Sequence, residues 1–519
     1  MVISNKRAHA ERWLYRLLVA VHLLPILATR WFVTLDGPSH LYSARIVRDL
    51  VLGDPFMGRF FHLSSYPEPY WLGHAVMAAL LLVLPAWLVE KLIWSAAVIA
   101  LAWAFRYFVR TLAPRRAWMA LLVMPFLLHY AVRLGFLNFS LSIPLLFVAL
   151  AMAWRGFTDG RLNTALLAAV LTGLYFAHLS TFLLCAGILL AMVVWAFLFR
   201  HQLGPRDPRP VSGRLLLGLA LPVALTLGYA ITHAPAHAAT SRLAMHDLWR
   251  WAWEGRCWNG LGAEGENWAC ILTAAPMLLA GMGAIVLRMA RRGKPAFQFR
   301  DLWPLITLVS FAAYFTIPDV MAGGSSVSPR LLLFSMLFLA ASLSVSGLPS
   351  WALRLTVVLV LLADLQHTRI QYASAISLGR ECNELMSVEG AMRDRTVVLP
   401  LNYGANWMHS NISNYLGTGG NRVIILDHFT ALAPFNPVQW NTEMLPYAAV
   451  GDFATSNRPC VRFAGYPDST GANIDEVLTW KMHNAEEDSC LKDVRAQLKA
   501  EYRLVATSPH GDAQVFAQP

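Results

Sequence analysis

Long apolar runs separated by short polar clusters dominate the chain. Runs of roughly 16 to 22 residues recur at about 12–33, 88–110, 117–133, 138–154, 162–178, 180–199, 214–232, 270–288, 302–317, 330–347 and 351–367, near the length a helix needs to cross a hydrocarbon core. The pattern predicts a polytopic α-helical membrane protein. Basic clusters fall between the runs: Arg106, Arg110, Arg115 and Arg116, then Arg200, Arg206, Arg209 and Arg214, then Arg288, Arg291, Arg292 and Lys294. Lys6, Arg7, Arg12 and Arg16 at the first run favour a cytoplasmic N-terminus. All three later clusters are then cytoplasmic only if one apolar stretch fails to cross. Trp71 to Pro85 is that stretch, being short, carrying His74 and ending at a proline. Residues 36–86 become one outer loop with helices along the membrane surface. About eleven helices cross, and the C-terminus lies outside.

From about 368 the composition becomes that of a soluble domain, so the chain divides into a transmembrane part, 1–367, and a small α/β extracytoplasmic domain, 368–519. Arg395 to Pro400 and Arg422 to Asp427 read as buried strands, short apolar runs bounded by turn residues. Ile474 to Tyr502 reads as broadly helical, and Tyr502 to Phe516 supplies one or two further strands.

Composition sharpens this in three ways. With 56% hydrophobic residues, the 519-residue chain carries more apolar surface than a soluble core needs. The net charge of +11 sits largely in the inter-run clusters, so it marks topology and not nucleic-acid binding. The six cysteines form no CxxC pair, and Cys257 and Cys270 form a disulfide if their loop lies in an oxidising compartment. No Walker loop, GxGxxG after a strand, or HExxH occurs, which removes nucleotide-driven transport and zinc proteolysis. Five tryptophans between 233 and 269 (Trp249, Trp251, Trp253, Trp258 and Trp268) suit a bilayer interface.

Candidate chemistry gathers on the expected outer side, where ionisable groups at a membrane edge are costly. Asp36, on a Gly-Pro turn just after the first run, is placed as a general base; the competing reading makes it a helix cap. His40 follows one helical turn later and serves to orient an acceptor, contact phosphate, share a metal ion with Asp36, or pack against headgroups. Glu68, in Tyr66-Pro-Glu-Pro-Tyr70, is a second carboxylate candidate, and His74 is a pocket candidate. Arg133 and Asn138 mark an outer turn, where the guanidinium either holds phosphate or snorkels to headgroups. His178 breaks an otherwise continuous apolar stretch. Arg330 begins a run after a loop of small residues, placed to neutralise a leaving phosphate.

These features resemble the GT-C glycosyltransferases, integral membrane enzymes that use polyprenyl-phosphate sugars. The resemblance lies in Leu35-Asp-Gly-Pro-Ser-His40 after the first run, the proline-bounded Tyr66-Pro-Glu-Pro-Tyr-Trp71, and Ser328-Pro-Arg-Leu-Leu332 opening a late run. It implies transfer of a sugar from a polyprenyl-phosphate donor to a hydroxyl of a glycan, lipid or protein. Asp36 would take the acceptor proton, with His40, Glu68, His74, Arg133, Asn138, His178 and Arg330 around the substrates. It also implies a bacterial inner membrane and a periplasmic C-terminal domain. Two departures stand out: aminoarabinose transferases carry a second aspartate where this chain has Asn138, and Gly37 replaces the second acid of the pair in protein O-mannosyltransferases. No cofactor is assigned, and the acceptor class and a divalent-metal requirement stay open. The rival class is a non-catalytic transporter, flippase or assembly subunit, which would place its polar site near the bilayer midplane.

Overall fold

The computed structural model describes residues 2–203, 206–233, 240–290, 297–321, 324–453 and 458–519. Arg291, Arg292 and Lys294 of the third basic cluster lie outside the described residues, as do the side chains of Lys6 and Arg7. The chain opens with α1 (Val2–Leu27), α2 (Gly37–Val51), α3 (Pro55–Phe60), β1 (Phe61–Leu63) and α4 (Trp71–Leu80). There follow α5 (Ala86–Leu112), a 3-10 stretch (Pro114–Phe126), α6 (Tyr130–Arg133), α7 (Leu137–Asp159), α8 (Thr164–Ala177), α9 (Leu179–Leu198) and α10 (Arg209–Thr232). Next come α11 (Met245–Trp253), α12 (Glu266–Ala290), α13 (Leu302–Thr316), α14 (Val327–Val345) and α15 (Ser350–Met386). The C-terminal part holds β2 (Thr396–Asn402), β3 (Val423–Ile425), β4 (Val438–Trp440), α16 (Tyr447–Val450), β5 (Gly451–Asp452), β6 (Cys460–Val461), α17 (Gly465–Thr470), β7 (Glu476–Trp480), α18 (Ser489–Glu501), β8 (Arg503–Thr507) and β9 (Ala513–Ala517).

The polytopic reading holds, but the count of eleven does not follow from helix length. Among the described residues seven helices are long and apolar enough to cross a membrane: α5, α7, α9, α10, α12, α14 and α15. At 14 and 15 residues, α8 and α13 reach only about 21–23 Å, short of a hydrocarbon core of about 30 Å. The run expected at 117–133 is no α-helix. Arg116 has non-helical dihedrals, and Pro125 lacks the N–H that a helix interior needs, so the segment stays 3-10 and then turns into the four-residue α6. The non-crossing stretch agrees with expectation, since α4 stops after 10 residues.

The chain folds as two compact units. The first comprises residues up to Pro25, Ser95–Arg133 and Asn138–Ala373. Within it α14 is the most enclosed long helix, at 83% buried, whereas α10 and α12 are only 22% buried. Leu217, Leu227 and Ile231 on α10, and Leu279 and Val286 on α12, stay exposed, which suits a lipid solvent.

The second unit comprises Ile26–Trp94, Leu134–Leu137 and Ser374–Pro519. Its sheet runs β3-β2-β7-β9-β8, with β2 parallel to β3 and β7, and β9 antiparallel to β7 and β8. The two expected strands are β2 and β3. The stretch read as helical from Ile474 is instead strand β7 followed by α18, because Glu476 to Trp480 is buried on both faces. β1 pairs antiparallel with β4, Phe61 opposite Trp440, so part of the first loop is stitched to the C-terminal segment. α2 does not simply lie on a surface: residues on every side of it, from Gly37 to Asp49, are buried within this unit.

Cys460 is bonded to Cys490, their Cα atoms 5.0 Å apart, tying β6 to the first turn of α18. Cys257 and Cys270 are instead free, buried thiols. A bridge closing a loop of this length is worth about 3–4 kcal/mol through the entropy of the unfolded chain. The Cys460→Ser/Cys490→Ser protein should lose about that much stability, and reductant should shift the thermal unfolding of wild type, but not of the variant, by the same amount.

Candidate functional site

Asp36 is fixed by its backbone before its side chain does anything. Its N–H donates to the Leu134 carbonyl at 3.0 Å, and Gly135, in left-handed backbone (φ +77°), packs directly on the Asp36-Gly37 peptide. A Cβ on Gly135 would stand 2.4 Å from the Gly37 nitrogen. Gly37 is equally constrained: its N–H donates to Thr34 Oγ1 at 3.1 Å, and a Cβ there would collide with that same oxygen. An acidic residue after Asp36 would therefore have to displace the Thr34 hydroxyl and break that hydrogen bond. Pro38 starts α2 where no N–H is needed.

The Asp36 carboxylate makes no capping hydrogen bond to the helix it starts. It is met instead by the side chain of Asn411, whose Nδ2 donates to Asp36 Oδ1 at 3.2 Å and to the Leu35 carbonyl at 3.0 Å. Asn411 carried no sequence signal; it lies in an irregular polar run, Asn411-Ile-Ser-Asn414, with neither strand nor helix period.

Next to Asp36 on α2, His40 meets His74 of α4, Nδ1 to Nε2 at 3.1 Å. His74 Nδ1 lies 2.9 Å from the Tyr70 carbonyl, which can only accept. That carbonyl fixes the tautomers: His74 donates from Nδ1 and accepts at Nε2, and His40 donates from Nδ1 and keeps a lone pair on Nε2. Tyr70 holds its carbonyl there in left-handed backbone (φ 81°), uncommon for a bulky residue. Burial, and secondarily the neighbouring His74 and His428, hold His40 well below the usual imidazole range, so it is neutral near pH 7. Glu68, the second carboxylate candidate, is fully buried and accepts from Ser64 Oγ at 2.7 Å.

Behind α2 lies a buried polar chain that sequence reasoning missed. Ser43 Oγ is 3.1 Å from His428 Nε2, and His428 Nδ1 is 2.9 Å from Asn414 Oδ1. Asn414 Nδ2 and Ser413 Oγ donate to the two Asp427 oxygens at 2.9 and 2.6 Å. Burial pushes Asp427 up to about 7 and His428 down to about 3. Among the described residues no three His, Cys, Asp or Glu side chains are arranged to hold a metal ion.

The first unit brings together a different set. Arg330 Nη1 lies 3.3 Å from His178 Nε2, and its guanidinium sits over the Phe139 ring, 5.3 Å from the centroid. His178 Nδ1 is 3.0 Å from Ser180 Oγ. The imidazole accepts from arginine at Nε2 and donates from Nδ1, so it is neutral too. His178 joins α8 to α9 in extended backbone, which explains the polar break in the apolar stretch. Asn138 is buried at the start of α7. Arg133 neither snorkels nor reaches the surface: it is fully buried, donating to Gln371 Oε1 at 2.8 Å and to the Gln371 carbonyl at 3.0 Å. Of the loop before Arg330, Ala322 and Gly323 lie outside the described residues.

No protein-family model matches the sequence, nor does any curated protein sequence. Solved structures do match. ArnT from Cupriavidus metallidurans with undecaprenyl phosphate bound is similar over 98% of both chains, at 12% identity and a TM-score of 0.52. Its apo form is similar over the same shares, at 11% identity and a TM-score of 0.54. The mycobacterial arabinofuranosyltransferase AftD is similar over 98% of this chain and 41% of its own, at 15% identity and a TM-score of 0.50, so the chain spans less than half of AftD. What is shared is the fold: the chain folds as ArnT does over nearly its whole length, and as part of AftD does.

The close approach at Gly135 yields a direct test. Gly135→Ala forces a side chain into left-handed backbone and into the Asp36-Gly37 peptide, and should cost about 1–3 kcal/mol. The check is thermal unfolding of the purified protein, with Gly53→Ala as a control, because that glycine also has positive φ but has nothing within 4 Å of its Cβ position.

Proposed function

We propose that the chain is a glycosyltransferase that moves a sugar from a polyprenyl-phosphate donor to an acceptor hydroxyl of a glycan, lipid or protein. The observation that carries this is the Asp36 carboxylate: it opens a helix, does not cap it, and is steadied by Asn411 from another segment. A carboxylate meant only for capping would bond the free N–H groups of its own helix. The GT-C fold supplies the context, and the undecaprenyl phosphate on ArnT supplies the carrier chemistry.

In the reaction Asp36 takes the proton from the acceptor hydroxyl. The acceptor oxygen forms a bond to the anomeric carbon as the bond from that carbon to the phosphate oxygen breaks, with inversion, and its electron pair leaves with the polyprenyl phosphate. Arg330 is the proposed cation for that leaving phosphate, its guanidinium oriented by His178 and by the Phe139 ring. His40 Nε2 offers a lone pair one helical turn from Asp36 and is suited to orient the acceptor hydroxyl. The protein would reside in a bacterial inner membrane, N-terminus cytoplasmic and C-terminal segment periplasmic. The Cys460–Cys490 disulfide suits such an oxidising compartment.

Asp36→Asn should keep binding donor lipid while transfer falls by about 10²–10⁴-fold; full transfer by that protein would overturn the assignment. Asn411→Asp places a second carboxylate beside Asp36 and should raise its pKa. The acid limb of the pH–rate profile should therefore move to higher pH, with activity lost at a pH where wild type still works. Asn411→Ala, which only removes a donor to the carboxylate, should lower the rate with a smaller displacement in the same direction.

A further inference from the structure

At the start of α8, the end away from His178, the first unit carries a recess of about 520 Å³. It is lined by Arg155 near the end of α7, Arg161 in the connection to α8, Arg214 in the second turn of α10, Tyr107 of α5, and Asn163 and Leu166 at the start of α8. Three guanidinium groups from three segments thus surround one hollow. Arg155 is engaged, to Asp159 at 3.3 Å and to the Tyr107 hydroxyl at 3.1 Å. Arg161 and Arg214 have no hydrogen-bond or ion-pair partner among the described residues. Among the described residues Asp159 is the one carboxylate in contact with these arginines, so the recess keeps a positive charge. Asn163 caps α8 by accepting from the Leu166 N–H at 3.0 Å, and the positive end of the α8 dipole lies on the same wall.

Scattered arginines at a cytoplasmic helix end need no ligand, because the positive-inside bias alone puts them there. Convergence is what differs here: the charges face a hollow of ligand size, over the partly apolar wall of Met152, Leu162 and Leu166. We propose that this recess binds a phosphate group, Arg161 and Arg214 supplying the charged donors and Tyr107 a hydroxyl. Basic pockets between helix ends hold lipid phosphates in this manner, and a small soluble phosphate compound would present the same oxygens. The site stands at the opposite end of α8 from His178 and Arg330 and does not depend on the transferase reading.

The test uses full-length protein in a neutral detergent, titrated separately with dioctanoyl phosphatidic acid and with inorganic phosphate, binding being read by native mass spectrometry and thermal shift. Wild type should bind one phosphate-bearing molecule saturably, and Arg161→Gln/Arg214→Gln should weaken it about tenfold or more. Tighter binding of phosphatidic acid identifies a lipid headgroup; equal or tighter binding of inorganic phosphate identifies a soluble source, and either result supports the site. Arg161→Lys/Arg214→Lys, which keeps the charge, should recover part of the loss. Absence of saturable binding by both probes, or affinity unchanged in the glutamine variant, would overturn the proposal.

Discussion

The packing of Gly135 on Asp36-Gly37, backbone against backbone within the second unit, sets the path on which α2 begins. A hydrogen bond such as that from the Asp36 N–H to the Leu134 carbonyl contributes about 1 kcal/mol net. Steric exclusion is harsher: a single added carbon at Gly135 would overlap backbone atoms of the Asp36-Gly37 peptide. Shape therefore decides the path, and the hydrogen bond registers it. Each partner of α2 inherits that direction, from His40 on His74 to Ser43 on His428 and the Tyr42 hydroxyl on the Val423 carbonyl at 2.7 Å. Gly417 repeats the device further along, since a Cβ there would strike the Tyr42 ring.

An enclosed helix as polar as α2 needs its polar groups satisfied. Asp49 accepts from Arg45 at 2.6 Å and from Arg48 at 2.6 Å, and the Ser43–His428–Asn414–Asp427 chain continues inward. Buried ion pairs of this kind add little to stability when intact, but removing one partner leaves the other uncompensated, which costs several kcal/mol. Their effect is to make one arrangement of α2 against the C-terminal segment far better than its neighbours. A carboxylate held at the start of such a helix has little freedom left to lose, as the general base proposed for Asp36 requires.

Some of this was legible in the chain and some was not, for identifiable reasons. β2 and β3 showed as short Val- and Ile-rich runs because strands buried on both faces lose the alternation of surface strands. The break at His178 showed because a polar residue among so many apolar ones has few structural explanations. Asn411 was invisible, since side chains that work from irregular segments leave no period. The change of composition near 368 was real but misleading as a helix end: α15 continues unbroken to Met386. Its polar residues turn inward, Asp364 to His22 at 3.2 Å, His367 to Glu266 at 3.5 Å, and Gln371 to Arg133 at 2.8 Å. That ladder reads in one dimension as the onset of a soluble domain, and in three dimensions it is the polar seam of a membrane helix bundle.

The same comparison sorts the arginines. Arg106 grips Glu11 with two bonds of 2.6 and 2.8 Å, and Arg288 grips Asp301 with two of 2.7 and 2.6 Å. These cations are spent on carboxylates, and their charge is largely cancelled at a distance. Arg330 instead touches an imidazole and an aromatic face, contacts that orient a guanidinium without neutralising it. Arg161 and Arg214 border a hollow and touch no carboxylate among the described residues. Two unit charges 4 Å apart attract by about 1 kcal/mol in water and about 4 kcal/mol at an effective dielectric constant of 20. A guanidinium partly withdrawn from water is therefore worth several times a solvated one to an arriving phosphate. At the start of α8 it is the convergence of Arg155, Arg161 and Arg214 on one hollow that sets these arginines apart from the paired ones.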